Sequence, residues 1–126
     1  MSQSQVSGAF LQQRQEALEG SEHVENEQRK RSILHVIGDE DCRCILDASG
    51  EEPLSANEIS DACDLPLSTA YRKLEILTGA DLLSERPRIR KSGKHPSEYV
   101  RQIERIGITF QDDGDLDLQV GLRQTE

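Results

Sequence analysis

Apolar residues recur in this chain in two rhythms. Between residues 31 and 83 they return three and four positions apart, the spacing of one helix face. From residue 85 onward they tend to alternate with polar residues, the spacing of one strand face. In "RSILHVIGDEDCRCILDASG", Ile33, Leu34 and Ile37 share a helical face, and Gly38 interrupts it. Asp39 caps a second helix with Glu40 and Asp41 favourable in its first turn, and Cys42, Ile45, Leu46 and Ser49 point inward. Ser49-Gly50 ends that helix.

The next stretch, "PLSANEISDACDL", contains Ser55 and, three residues on, Glu58. That spacing is a capping box, in which each side chain bonds the other residue's amide. Ile59, Ala62 and Cys63 are the expected inward positions of a short third helix. A turn at Asp64-Leu65 leads to Pro66, which suits a first helical turn because its missing N–H costs nothing there. The fourth helix, about residues 66–78, holds "PLSTAYRKLEILT". Ala70, Leu74 and Leu77 form its inner stripe, and Ser68, Arg72 and Glu75 lie opposite, flanked by Thr69 and Tyr71. Two short helices joined by a tight turn, the second with a polar outer face, form the helix-turn-helix pattern.

Strand patterns follow. "ERPRIR" and "SEYVRQI" read as a hairpin over residues 85–101, bent at Lys91 to Pro96. Arg86, Arg88 and Arg90 share one face of its first strand, and Pro87 confines that strand to an edge. Ile106, Ile108 and Phe110, then Leu116, Leu118, Val120 and Leu122, predict a second hairpin around Asp113-Gly114. The first 28 residues are polar, with Phe10, Leu11, Ala17 and Leu18 making one weak helical stripe that Gly20-Ser21 would end. They read as a tail, or as a helix that pairs with a second subunit. The predicted division is a tail at 1–28, a domain at 29–101 and a terminal hairpin at 102–126.

Charge sharpens this picture. The 126 residues carry a net charge of -9, but residues 66–101 alone carry +4. A nucleic-acid contact needs only a local positive face, and the fourth helix opens that basic segment. Arginine outnumbers lysine by 11 to 4, and aromatic residues are 3% of the chain. So acidic and lysine-poor a composition points to a cytoplasm of high salt. No apolar run of about 18 residues exists to span a membrane, and the first residues lack the basic-then-apolar order of a secretory signal. Three cysteines make no disulfide framework. Cys42 and Cys44 lie about 200° apart around a helix and cannot share one metal, and His23, His35 and His95 show no ligand spacing. No nucleophile with a base, no Gly-rich phosphate loop and no paired carboxylates suggest an enzyme. No cofactor or metal is expected.

The run "LSANEISDACDLPLSTAYRKLEILTGADLLSE" resembles the ArsR-like winged helix-turn-helix regulators, with "S-T-x-x-R-x-L" in the recognition helix. The likeness extends over residues 31–122 to the short acidic regulators of haloarchaea, in which "GDEDCR" precedes such a helix pair. Two departures stand out: Gly79-Ala80-Asp81 replaces the Ala-Gly order after the recognition helix, and the helix before the recognition helix, where metal-sensing members carry a Cys-x-Cys, holds only Cys63. The resemblance implies an α+β fold, a winged helix-turn-helix with an added C-terminal β-hairpin. It also implies a cytoplasmic transcription regulator that binds double-stranded DNA as a homodimer, with an unknown effector. In that reading Ser68, Thr69 and Tyr71 touch base edges or phosphates, and Arg72 makes a bidentate contact to guanine. Lys73 meets phosphate, and Arg88, Arg90, Lys91 and Lys94 put the wing on the backbone or in the minor groove. Dimerisation would use Ile33 and Ile37 of the first helix and Ile106, Ile108, Phe110, Leu116, Leu118 and Val120 of the last hairpin. The alternatives are an interaction module that binds another regulator and not DNA, and a thiol redox sensor using Cys44 or Cys63.

Overall fold

The structure, a computed structural model, describes residues 21–89 and 96–123. In chain order its elements are β1 (Ser21–Val24), α1 (Glu27–Gly38), α2 (Glu40–Glu51), β2 (Leu54–Ser55), α3 (Ala56–Cys63), α4 (Leu67–Gly79), β3 (Leu83–Pro87), β4 (Ser97–Arg101), β5 (Ile103–Phe110) and β6 (Leu116–Leu122). The described residues form two compact units: residues 25–103, and residues 21–24 with 104–123.

In the larger unit, caps set the helix limits. Asn26 accepts the Arg29 amide at the start of α1. Asp39 ends α1 with its own N–H on the Val36 carbonyl, and its carboxylate accepts the Cys42 amide to begin α2. The capping box at Ser55 and Glu58 is present, with bonds of 2.8 and 3.2 Å. The core beneath the helices gathers Ile33, Val36, Cys42, Ile45, Ile59, Ala70, Leu74, Leu77, Leu82, Leu83 and Tyr99. Two details differ from expectation. The inward stripe of α1 is Ile33 with Val36, leaving Leu34 exposed, and Ala62 of α3 is exposed while Ala56 is buried. In α1 the second inward position is thus one residue earlier than expected, and in α3 the inward stripe starts at the first residue of the helix, three before Ile59.

The two strands after α4 join the earlier β2 in a three-stranded antiparallel sheet in the order β2-β4-β3. Leu54 pairs with Tyr99 and Ser55 with Glu98 on one side, and Glu85 with Tyr99 and Arg86 with Glu98 on the other. The two-residue strand β2 is too short to show in an alternation pattern. Arg101, on β4, donates to the Leu46 carbonyl near the end of α2, and its guanidinium lies over Gly50. A Cβ at Gly50 would crowd that guanidinium, so a larger residue here would make the Arg101 side chain shift.

The smaller unit is a second sheet in the order β1-β6-β5. Val24 pairs with Leu118 and Glu22 with Val120, which puts these side chains on one face. On the other face His23 Nδ1 lies 3.1 Å from Asp117 Oδ1. Gln111 and Asp115 close the β5–β6 turn, and Gly114 occupies its positive-φ position at 85°. The expected terminal hairpin is therefore one strand larger, and residues 21–24 belong to it rather than to a polar tail. Short polar strands like "SEHV" carry no apolar alternation, which is why composition alone placed them in a tail. The fold is α+β, a winged helix-turn-helix with an added C-terminal sheet built on the predicted hairpin.

Candidate nucleic-acid interface

The α3–α4 turn is held from both sides by one residue. The Ser60 hydroxyl donates to the Leu65 carbonyl, and the Leu65 amide donates to the Ser60 carbonyl at 3.0 Å. Asp64 between them takes a left-handed conformation at φ 52°. The chain then enters α4 through Pro66, whose carbonyl accepts the Ala70 amide. With Ala70, Leu74 and Leu77 buried, α4 turns Leu67, Ser68, Tyr71, Arg72 and Glu75 outward, and Thr69 is half-buried. Arg72 has no ion-pair partner among the described residues.

The far end of α4 closes as a Schellman motif. The Leu82 amide donates to the Leu77 carbonyl at 3.0 Å and the Asp81 amide to the Thr78 carbonyl at 3.1 Å. Asp81 holds the left-handed position at φ 60°, where glycine is usual. The order Gly79-Ala80-Asp81 thus keeps the helix end and moves the strained position onto an aspartate. Arg29 of α1 donates to the neighbouring Ala80 carbonyl at 2.9 Å.

Two of the expected cationic contacts are occupied inside the protein. Lys73 pairs with Asp39 at 3.0 Å and its side chain is only 12% exposed. Its partner stands at the junction of α1 and α2. Arg88 donates to Glu98 at 2.9 Å through Nε and to Glu58 at 2.7 Å through Nη2, with 22% exposure. Arg86 donates to the other Glu98 oxygen at 2.6 Å and remains more than half exposed. Glu98, placed on β4, anchors Arg86 of β3 and Arg88 just after that strand, and Arg88 in turn ties the wing base to Glu58 near the N-terminus of α3. The sequence pattern marked the three arginines as one face but gave no sign of the carboxylate across the sheet. The Arg88 guanidinium holds the Glu58 carboxyl down to about 2, and Arg86 and Arg88 lower that of Glu98. The Asp39 carboxyl is likewise lowered to about 2, by hydrogen bonding to Cys42 and then by Lys73. Arg90, Lys91 and Lys94 lie outside the described residues, as does His95.

The expected dimer residues separate by burial. Ile33, Leu118 and Val120 are fully covered within a single chain and so have no surface to offer a partner. Ile37, Ile106 and Leu116 are half-buried, whereas Ile108 and Phe110 are exposed, Phe110 at 80%. A third strand at β1 accounts for part of this, since Val24 flanks Leu118 on the same face. Cys42 is buried and its thiol is pushed up to about 12 by that burial. Cys63 is raised similarly, by burial and by the neighbouring Cys44 thiol. Among the described residues no group of three His, Cys, Asp or Glu is placed to hold a metal ion, and no helix is long and apolar enough to cross a membrane.

Residues 31–86 match the family model of the helix-turn-helix domain. That match spans α1 to β3 and includes the outward face of α4. Among solved structures, the chain is similar to the crystal structure of NolR from Sinorhizobium fredii. The identity is 17% and the TM-score 0.49, covering 79% of this chain and 81% of that one. A search of curated proteins finds no match.

Proposed function

We propose that this protein is a sequence-specific double-stranded DNA-binding transcription regulator of the ArsR-like type, acting as a homodimer. The observation that carries the reading is the outward face of α4: a hydroxyl, an aromatic ring and an arginine with no ion-pair partner among the described residues, exposed on a helix whose other face is core. Such a helix, second in a helix-turn-helix, presents its N-terminal half to the major groove. Ser68, Thr69, Tyr71 and Arg72 are the proposed readers, with Arg72 on guanine. Arg90, Lys91, Lys94 and the half-exposed Arg86 are the proposed wing contacts to the backbone or minor groove. Lys73 and Arg88 act instead as internal braces. The acidic, arginine-biased composition supports a haloarchaeal, cytoplasmic setting.

Selection of duplexes from a random-sequence library by the full-length protein tests this. The expected result is an enriched motif of paired half-sites about 34 Å apart along the DNA. Arg72→Ala should then lose preference at one position of each half-site, costing about 1–3 kcal/mol. Absence of any enriched duplex would overturn the DNA-reading function and favour an interaction module that binds another protein.

A further inference from the structure

The sequence pattern singled out the polar residues of α4 and passed over Leu67. In the structure Leu67 opens the helix with 40% of its surface exposed, and Tyr71, one turn on, is 52% exposed. Residues four apart on a helix are neighbours, so the two form one apolar strip beside Ser68 and Arg72. The strip borders the core stripe of Ala70, Leu74 and Leu77 on one flank of the helix, yet both side chains remain exposed. We propose that Leu67 and Tyr71 read the 5-methyl group of thymine in the major groove, next to the base that Arg72 recognises.

The chemistry of the groove supports this choice. Donors and acceptors on base edges are read by hydrogen-bonding side chains, and a leucine has none to offer. The thymine methyl is the apolar feature of the major groove and is met by apolar side chains. Leu67 stands in the first turn of α4, the part of a recognition helix that reaches base edges. The tyrosine ring adds rigid contact area at little conformational cost. Burying one methyl-sized group is worth about a fourfold change in affinity. Discrimination of that size, repeated at each half-site, distinguishes thymine from cytosine or uracil without any hydrogen bond.

This inference rests on the DNA-reading function proposed above, and the following experiment separates the two. The full-length protein selects a duplex from a random library, and each thymine of the enriched duplex is then replaced singly by deoxyuridine, which removes only the methyl group. Binding is followed by fluorescence anisotropy. The wild-type protein should lose about fourfold at one or two positions per half-site. Leu67→Ala should bind the thymine and deoxyuridine duplexes equally at one of those positions, with an unchanged salt dependence. Tyr71→Phe should keep the methyl sensitivity and Tyr71→Ala should lose it at its position. Leu67→Gln, which preserves length and helix propensity, serves if Leu67→Ala unfolds on circular dichroism. Uniform indifference of the wild type to deoxyuridine would overturn the proposal while leaving DNA binding intact, as would full methyl sensitivity in both alanine variants. Failure to enrich any duplex would remove the DNA-reading function and this inference with it.

Discussion

Asp64 and Asp81 each hold a left-handed backbone at a helix end, one before α4 and one after it. An L side chain there crowds the following carbonyl, at a cost of about 1–2 kcal/mol that aspartate partly relieves by local hydrogen bonding. Two outcomes follow at Asp81. Asp81→Gly should leave the midpoint of urea unfolding unchanged or raise it, and Asp81→Ala should lower stability by about 1 kcal/mol. Asp39 and Glu58 make a second prediction. Both carboxyls ionise near 2 in the folded chain, against 3.8 and 4.5 as ordinary values. As pH falls, the unfolded chain therefore takes up protons first and gains on the folded one. Their contribution is complete above about pH 5 and is lost as the pH falls through about 2. Chemical denaturation at a series of pH values should show that decline, and Lys73→Ala should flatten the part due to Asp39.

At the scale of elements, the wing base is a clamp. Arg88 reaches from the end of β3 to Glu98 on β4 and to Glu58 on α3, and also to the Pro53 carbonyl. Arg88→Ala should lower the melting temperature and leave the slope of log affinity against log salt unchanged, because no phosphate contact is lost. A flatter slope would return Arg88 to the backbone contacts. Periodicity made most of this scaffold legible. The stripes Ala70-Leu74-Leu77 and Ile45-Ser49, the capping box and the Asp113-Gly114 turn each state a local rule, and each stands in the structure. What periodicity could not show is what lies across space. Glu98 sits twelve residues from Arg86 in sequence, and Lys73 meets Asp39 from another helix. Strand β2 has two residues and β1 four polar-flanked ones, too few to carry a period. Of the candidate site, the outward face of α4 was legible, but the difference between a free arginine and a bracing lysine beside it was not, and neither was the exposure of Leu67.

At the scale of the whole molecule, the proposed homodimer would draw on what the chain leaves uncovered. Leu118 and Val120 are spent within one chain, whereas Ile108, Phe110 and Leu122 are the exposed large apolar residues of the second sheet. Phe110→Asp should convert a dimer to a monomer on light scattering while helical content stays constant; a dimer that persists would place the interface elsewhere. Asp39 carries a further consequence. One side chain begins α2, its own backbone amide closes α1, and its carboxylate holds Lys73 of α4. Helix ends ordinarily fray and open one at a time. Here the ends of two helices and the middle of a third share a single knot, so opening any one of them breaks the other two. The Cys42 amide should accordingly exchange with deuterium as slowly as amides of the central core, and Lys73→Ala should let that amide exchange quickly while the Ile59 amide stays protected.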